Sequence, residues 1–333
     1  KAIDWLIQQS GKKVKLHVGF FGGEPFLNVD LMKKVVDYSR KRCQEEGKRV
    51  DFNATTNGTL LDKDAVDFIV DCDMNVMVSI DGPREIQDAQ RPYSQGGGSY
   101  DILVENCKYL LEKRPDTPAH AVLVGNNDPR MIKEALLKIG FADASVTPNS
   151  TNLFDDSSEK SHSKRDTEVL IRSFEQEALA WLQHTHARDK RALSNLKAKS
   201  HLHPAILQLL HNSKRRFACG AGLGMVGIAC DGGVYLCHRF VGIPEYRLGT
   251  VFDEKLERDA FLSPIEMNEN CAQCFARYYC AGGCKHDNAA SCGATSLPVE
   301  DMCRIRRREL ELATMVAANL SQEERDYLAK ESI

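Results

Sequence analysis

The chain of 333 residues carries 44 basic and 47 acidic side chains, which gives a formal net charge of −3 with both signs interspersed. This balance excludes a strongly basic surface as the main feature, so we expect neither a nucleic-acid partner nor a membrane partner. The sequence has no apolar run of membrane-spanning length, and its first ten residues have the pattern of an amphipathic helix rather than a signal peptide. We therefore expect a cytoplasmic protein of two or three domains.

The first 150 residues alternate short apolar runs with amphipathic stretches. Apolar runs predict strands over 14–21, 51–56, 75–80, 120–124 and 144–147. Helical spacing predicts helices over 1–10, 28–46, 62–71, 99–113 and 129–139. Because strands that alternate with helices form parallel sheets with right-handed crossovers, we predict an α/β fold, either a barrel or a doubly wound sheet.

In both folds the binding site forms at the C-terminal ends of the strands. These ends are rich in glycine and small polar residues, as a binding rim requires. They read Gly22-Gly23-Glu24-Pro25, Thr56-Asn57-Gly58 and Asp81-Gly82.

The composition changes after residue 150, and we predict three domains. Residues 1–150 form the α/β domain, 151–215 a helical connector, and 216–333 a small cysteine-rich domain. In the last domain we expect a β-hairpin over 229–236, with a glycine turn, and a closing helix after Cys303.

Nine of the twelve cysteines lie in this last domain, and seven of them form a ladder with the spacing C-x17-C, then C-x2-C-x5-C-x3-C, then a gap of 18 residues before the final cysteine. In a reducing compartment such cysteines indicate metal or redox chemistry rather than a disulfide framework. Sets of four thiolates bind either zinc or an iron–sulfur cluster, and the spacing alone leaves both open. Seven thiolates exceed what one four-coordinate metal needs, so we expect more than one metal centre.

The order of these motifs resembles that of radical S-adenosylmethionine (SAM) enzymes that carry a cysteine-rich SPASM domain. The resemblance rests on Gly-Gly-Glu-Pro after the first strand, Thr-Thr-Asn-Gly after the second, Ser79-Ile80-Asp81-Gly82 after the third, and the seven-cysteine ladder. It covers essentially the whole chain. It implies a partial (β/α) barrel followed by a SPASM domain with a hairpin and a C-terminal helix.

The resemblance also implies roles for individual rim residues. Gly22, Gly23 and Glu24 match the segment that holds the SAM amino group, where glycines let a ligand approach the backbone and a carboxylate faces an ammonium. Asn57 and Ser79 match strand ends that contact the ribose and carboxylate of SAM, with Asp81 just behind them. The resemblance further suggests that Arg91 pairs with a carboxylate of SAM or of the substrate, the alternative being a surface arginine before a proline turn.

The seven cysteines divide into two sets by the same resemblance. An outer auxiliary 4Fe-4S cluster is expected on Cys271, Cys274, Cys280 and Cys303, and an inner one on Cys219, Cys237 and Cys284. Sulfatase-maturing relatives supply a fourth inner ligand shortly after the first cysteine, but here residues 220–225 contain no cysteine. Either Cys230 or a substrate thiolate completes this inner set, since iron accepts a thiolate by displacing its proton.

The C-x3-C-x2-C motif that binds the SAM-cleaving 4Fe-4S cluster in this family is absent from the sequence. In the family it follows the first barrel strand, directly upstream of a helix like the one that opens this chain. We therefore expect strand one and that cluster on a segment preceding Lys1.

The implied function is that of a maturase acting on a ribosomally made, cysteine-containing peptide or small protein subunit. The expected product is a thioether crosslink from cysteine sulfur to carbon, with SAM as cofactor and a ferredoxin or flavodoxin as electron donor. Two alternatives stay open: a sulfatase-maturing or carbon–carbon bond-forming enzyme, and a non-catalytic zinc- or peptide-binding scaffold. The basic run Arg304, Arg306, Arg307 and Arg308 is either a solvated helix face or a group that docks an acidic peptide or stabilises cluster charge.

Overall fold

The computed structural model describes residues 1–125, 127–149, 153 and 164–330. The helices are α1 Ala2–Gln9, α2 Val29–Glu45, α3 Lys63–Asp71, α4 Arg84–Gln90, α5 Tyr100–Lys113, α6 Pro129–Ile139, α7 Lys164–Ala187, α8 Lys190–Lys199, α9 His203–Leu210, α10 Arg277–Cys280, α11 Lys285–Cys292, α12 Glu300–Asn319 and α13 Gln322–Lys330. The strands are β1 Lys15–Phe20, β2 Arg49–Thr56, β3 Asn75–Ser79, β4 Ala119–Leu123, β5 Ala144–Pro148, β6 Gly227–Ile228, β7 Gly233–Tyr235 and β8 Arg247–Thr250. Along this described part of the chain, no helix combines the length and apolarity that a bilayer crossing demands.

The first five strands form one sheet in the order β1-β2-β3-β4-β5, and the pairs β1–β2, β2–β3 and β3–β4 are parallel. Helices connect the successive strands, so the α/β prediction is confirmed. The strand order follows the chain without a reversal, whereas a doubly wound sheet reverses its order at a switch point. Of the two architectures that the sequence left open, the barrel type is therefore correct.

Local chemistry explains where the helices of the sheet begin. Asn28 accepts a hydrogen bond from the Leu31 amide at the start of α2, and Asp62 accepts one from the Ala65 amide at the start of α3. Each side chain satisfies an amide that lacks a partner within its own helix. These caps lie where the sequence predicted the helices to begin.

Three details differ from the sequence-based expectations. Helix α4 lies between β3 and α5, where no helix was expected, and its one buried side chain is the polar Gln87. The hairpin gains a third, antiparallel strand, β8, beside β7. Helix α12 begins at Glu300, so Cys303 lies in its first turn rather than before it. Within the predicted connector 151–215, the structure describes residue 153 and residues 164–215.

The chain divides into two compact units. Unit 1 comprises residues 1–122, 130–147 and 227–257, and unit 2 comprises residues 123–129, 148–226 and 258–333. Unit 1 holds the parallel sheet, its helices and the three-stranded β6–β8 sheet. Unit 2 is helical, with Trp181 of α7 fully buried in its core. The three-domain boundaries at 150 and 215 remain a prediction.

Candidate functional site

One face of the parallel sheet is packed and the other is open and polar. On β2 the side chains of Phe52 and Ala54 are buried, whereas Asn53 between them is exposed. On β3 the same alternation leaves Met77 and Ser79 only half-buried. Parallel sheets normally have both faces covered. An open polar face on such a sheet is therefore a candidate binding surface.

The rim begins at the C-terminal end of β1, where Gly22 and Gly23 are both exposed. A Cβ atom added to either glycine would meet nothing within 4 Å. Glycine is thus not needed there to avoid a clash within the protein, and the bare backbone leaves room for a ligand to approach.

Glu24 ties the ends of β1 and β2 together. Its Oε1 accepts a hydrogen bond from the Thr56 hydroxyl at 2.8 Å and one from the Phe26 amide at 3.1 Å, and its Oε2 accepts one from the Asn57 amide at 2.7 Å. A carboxylate has about four lone-pair sites, so three donors leave room for one more. Asn57 in turn accepts hydrogen bonds from the amide and hydroxyl of Thr59 at 2.9 and 2.7 Å. The carboxylate is held in one orientation with acceptor capacity to spare.

At the end of β3, Asp81 and Arg91 form a bidentate ion pair. The Arg91 Nε and Nη2 donate to the two oxygens of Asp81 at 2.6 and 3.0 Å, and the Val122 amide donates to Asp81 at 2.9 Å. The Asp81 side chain is 3% exposed and that of Arg91 is 33% exposed. Two of the five N–H donors of Arg91 thus bind within the protein. The predicted pairing of Arg91 with a SAM or substrate carboxylate stays a prediction, and only its remaining donors are available for it.

His120 is a rim residue that the sequence analysis missed. It lies on β4 beside Ser79 of β3, and its Nε2 is 3.0 Å from the Thr147 hydroxyl on β5. Burial, followed by the nearby Arg91 guanidinium, lowers the pKa of His120 below its ordinary value, so the imidazole is neutral near pH 7. Strand alternation, which puts residues 120 and 122 on the open face, was the signal that could have found it.

In unit 2 the structure gathers four of the predicted ligands around one cavity. Cys271, Cys274, Cys280 and Cys303 all line it. The first three come from the loop 271–276 and helix α10, and the last comes from the first turn of α12. The lining also includes Arg277, Arg306 and Arg307.

The chemistry of this cavity fits an iron–sulfur cluster. Burial raises the pKa of the Cys271 and Cys280 thiols, and burial with the neighbouring Cys280 raises the pKa of Cys303 to about 12. Four thiolates without a metal would be desolvated and would repel one another, and bound iron relieves both costs. Four cysteine thiolates are the usual donor set of a cubane cluster.

The other three predicted ligands lie in different units. Cys237 is buried in unit 1 after β7, whereas Cys219 and Cys284 are exposed in unit 2. Cys230 is exposed in the turn after β6, not in an apolar strand as the sequence suggested. Among the described residues, no three His, Cys, Asp or Glu side chains are placed to hold a single metal ion.

The model of the radical SAM superfamily matches residues 3–139, which include the rim and most of the parallel sheet. This segment is similar to a radical SAM domain. All the predicted rim residues from Gly22 to Arg91 lie within this segment.

Two curated proteins and one solved structure are similar to this chain. The uncharacterized protein MJ0907 of Methanocaldococcus jannaschii is 36% identical over 97 residues, which are 28% of this chain and 31% of that protein. The chain thus spans less than a third of that relative. The cysteine-type anaerobic sulfatase-maturating enzyme of Clostridium novyi is 22% identical over 283 residues, 80% of this chain and 72% of that enzyme. The structure of native anSMEcpe with bound AdoMet is similar in fold, with a TM-score of 0.75 at 18% identity over 95% of this chain and 88% of that one.

Proposed function

We propose that the protein is a radical SAM maturase that forms a thioether crosslink between a cysteine sulfur and a carbon atom of its peptide substrate. Within this group the sequence resembles the maturase that crosslinks the small subunit of quinohaemoprotein amine dehydrogenase, where the carbon belongs to Asp or Glu. The substrate is a ribosomally made, cysteine-containing peptide or small subunit, and a ferredoxin or flavodoxin supplies electrons.

The observation that carries this proposal is the turn that follows Cys219. Residues 220–225 close on themselves, because the Met225 amide donates to the Gly220 carbonyl and the Gly222 amide to the Met225 carbonyl, both at 2.9 Å. Gly222 has a φ of +74°, which favours glycine. Every residue of this turn is described and none is a cysteine. Where sulfatase-maturing relatives carry a fourth inner ligand, this turn offers no thiol, so we assign that coordination position to the substrate cysteine rather than to Cys230.

The rim residues would hold SAM in this proposal. Gly22 and Gly23 expose backbone, Glu24 keeps acceptor capacity for the ammonium, and Asn57 and Ser79 face the ribose and carboxylate. When bound, SAM and its cluster supply a carbon-centred radical that abstracts a hydrogen atom from the substrate. Asp81 keeps Arg91 oriented at the edge of the open face, where its remaining donors can bind a carboxylate.

The balance of the reaction defines its product. Forming a C–S bond from one C–H group and one S–H group removes two hydrogens from the peptide. One leaves as a hydrogen atom to the abstracting radical. The other leaves as a proton, and one electron passes to an acceptor. The product therefore weighs two hydrogens less than the substrate and has lost one alkylatable thiol.

The test is mass spectrometry of a cysteine-containing substrate peptide, co-expressed with the complete gene product or incubated with it and SAM. Candidate peptides are small open reading frames adjacent to the gene. Loss of two hydrogens together with one thiol supports the proposal. A two-hydrogen loss that leaves every thiol alkylatable contradicts it, and the same incubation without SAM is the control.

A second candidate, conversion of a sulfatase cysteine to formylglycine, is favoured by the Clostridium novyi relative, whose similarity extends over 80% of this chain. The same spectra separate the two reactions, because formylglycine formation removes the sulfur atom from the peptide whereas a thioether retains it.

A further inference from the structure

The four arginines of the basic run on α12 lie in two different surroundings. Arg308 binds Glu175 of α7 at 2.7 Å and Glu311 at 3.1 Å, and Arg304 pairs with Glu168 of α7. These two arginines therefore connect α12 to the helix beside it. Their charges are matched by carboxylates of α7 and of α12 itself.

Arg306 and Arg307 instead line the four-cysteine cavity. The Arg306 Nη1 lies 2.6 Å from Glu309, whose side chain is only 5% exposed. This close carboxylate inside the protein largely neutralises the charge of Arg306.

Arg307 is arranged differently. Its side chain lines the cavity together with Cys274. Its carboxylate partner, Glu300, stands 3.3 Å away with a side chain that is 73% exposed. An exposed ion pair is strongly screened by water, so Glu300 compensates the charge of Arg307 weakly. The guanidinium thus presents a weakly compensated positive charge to the cavity.

On the proposed assignment of a cluster to these four cysteines, we propose that Arg307 is a positioning residue that raises the reduction potential of that cluster. Reduction adds one negative charge to the cluster, and part of this charge resides on the thiolate sulfurs. A positive charge in the cavity lining stabilises the reduced form more than the oxidised one. Hydrogen bonds to sulfur and local charge are among the factors that set the potentials of such clusters.

The experiment is a redox titration followed by electron paramagnetic resonance on the anaerobically reconstituted chain. The outer-cluster signal is assigned as the one that disappears in Cys303→Ala. The variants are Arg307→Gln, which removes charge and donor strength, and Arg307→Lys, which keeps the charge. The matched control is Arg308→Gln, from the same run on the same helix but bound to Glu175.

We expect Arg307→Gln to make reduction of this cluster about tenfold less favourable, which is about 59 mV for a one-electron couple, while iron content is unchanged. Arg307→Lys should recover part of the shift, and Arg308→Gln should leave the midpoint potential at its wild-type value. Equal shifts in the Arg307 and Arg308 variants, or no shift in either, would overturn the inference while leaving the cluster assignment intact. If Cys303→Ala removes no signal and no iron, both the cluster assignment and the inference fail.

Discussion

The buried ion pair at the end of β3 gives a quantitative test of the rim. Asp81→Asn replaces a carboxylate that accepts three hydrogen bonds by an amide whose N–H₂ group faces the donors of Arg91. Breaking a buried pair from one side costs about 3–5 kcal/mol, and the one-third exposure of Arg91 lets it turn to water, which reduces our expectation to about 2–3 kcal/mol. The loss is local to the ends of β3 and β4.

Hydrogen exchange measured by mass spectrometry reports this loss on the peptides that contain residues 75–82 and 119–123. At about 1.4 kcal/mol per factor of ten, protection should fall by about 30- to 150-fold. The control is Asp101→Asn, which breaks the bidentate Arg84–Asp101 pair, where both side chains are at least half exposed. Exposed pairs contribute about 0–1 kcal/mol, so this variant should change protection by less than about fivefold. Equal losses in the two variants would refute our view that burial makes the Asp81 pair strong.

Three further predictions concern individual side chains. Because burial lowers the pKa of His120, the fold favours its neutral form, and the free energy of unfolding should fall as the pH drops below about 6.5, by at most about 1.4 kcal/mol per pH unit for this one proton. Urea denaturation at pH 7.5 and 5.5 should show a smaller loss of stability at the lower pH for His120→Gln than for the wild type. Equal losses in the two proteins would contradict the assignment. Burial raises the pKa of Cys107 to about 12, so iodoacetamide should label it far more slowly than the exposed Cys292 in the native protein, and equal labelling rates measured by peptide mapping would disprove its burial. Gly58→Ala should lower the melting temperature more than Gly97→Ala. Both glycines have positive φ, but the added Cβ at 58 would lie 3.1 Å from a leucine Cγ, whereas the one at 97 would meet nothing within 4 Å. The reverse order of melting temperatures would exclude crowding as the cause.

Apolar alternation was sufficient to predict the five parallel strands. Phe52 and Ala54 on β2, and the caps Asn28 and Asp62, are local signals, and the strands and helices they mark lie within two residues of their predicted bounds. Helix α4 was missed for the opposite reason. Its buried residue Gln87 is polar, and it is accommodated because its Oε1 accepts from the Asp81 amide and its Nε2 donates to Ser99. The spacing of apolar residues in the sequence does not predict such polar contacts.

The site shows the same division between local and non-local information. The resemblance to the SPASM pattern was enough to select the four cysteines that line one cavity, and three of them lie within ten residues of one another. The different surroundings of Arg307 and Arg308 were not predictable, since the carboxylate that binds Arg308 belongs to a helix more than a hundred residues earlier. His120 was missed because its partner Thr147 lies on another strand, at a distance of 27 residues in the sequence.

The central claim is that Cys271, Cys274, Cys280 and Cys303 hold an iron–sulfur cluster. The most direct measurement is iron and sulfide content with a Mössbauer spectrum of the anaerobically reconstituted chain, compared between wild type, Cys303→Ala and the exposed-cysteine control Cys292→Ala. Our account predicts that Cys303→Ala loses about four iron atoms per chain, the content of one cubane cluster, and that Cys292→Ala keeps the wild-type content. Unchanged iron in Cys303→Ala, or a colourless wild-type protein with stoichiometric zinc, would contradict it.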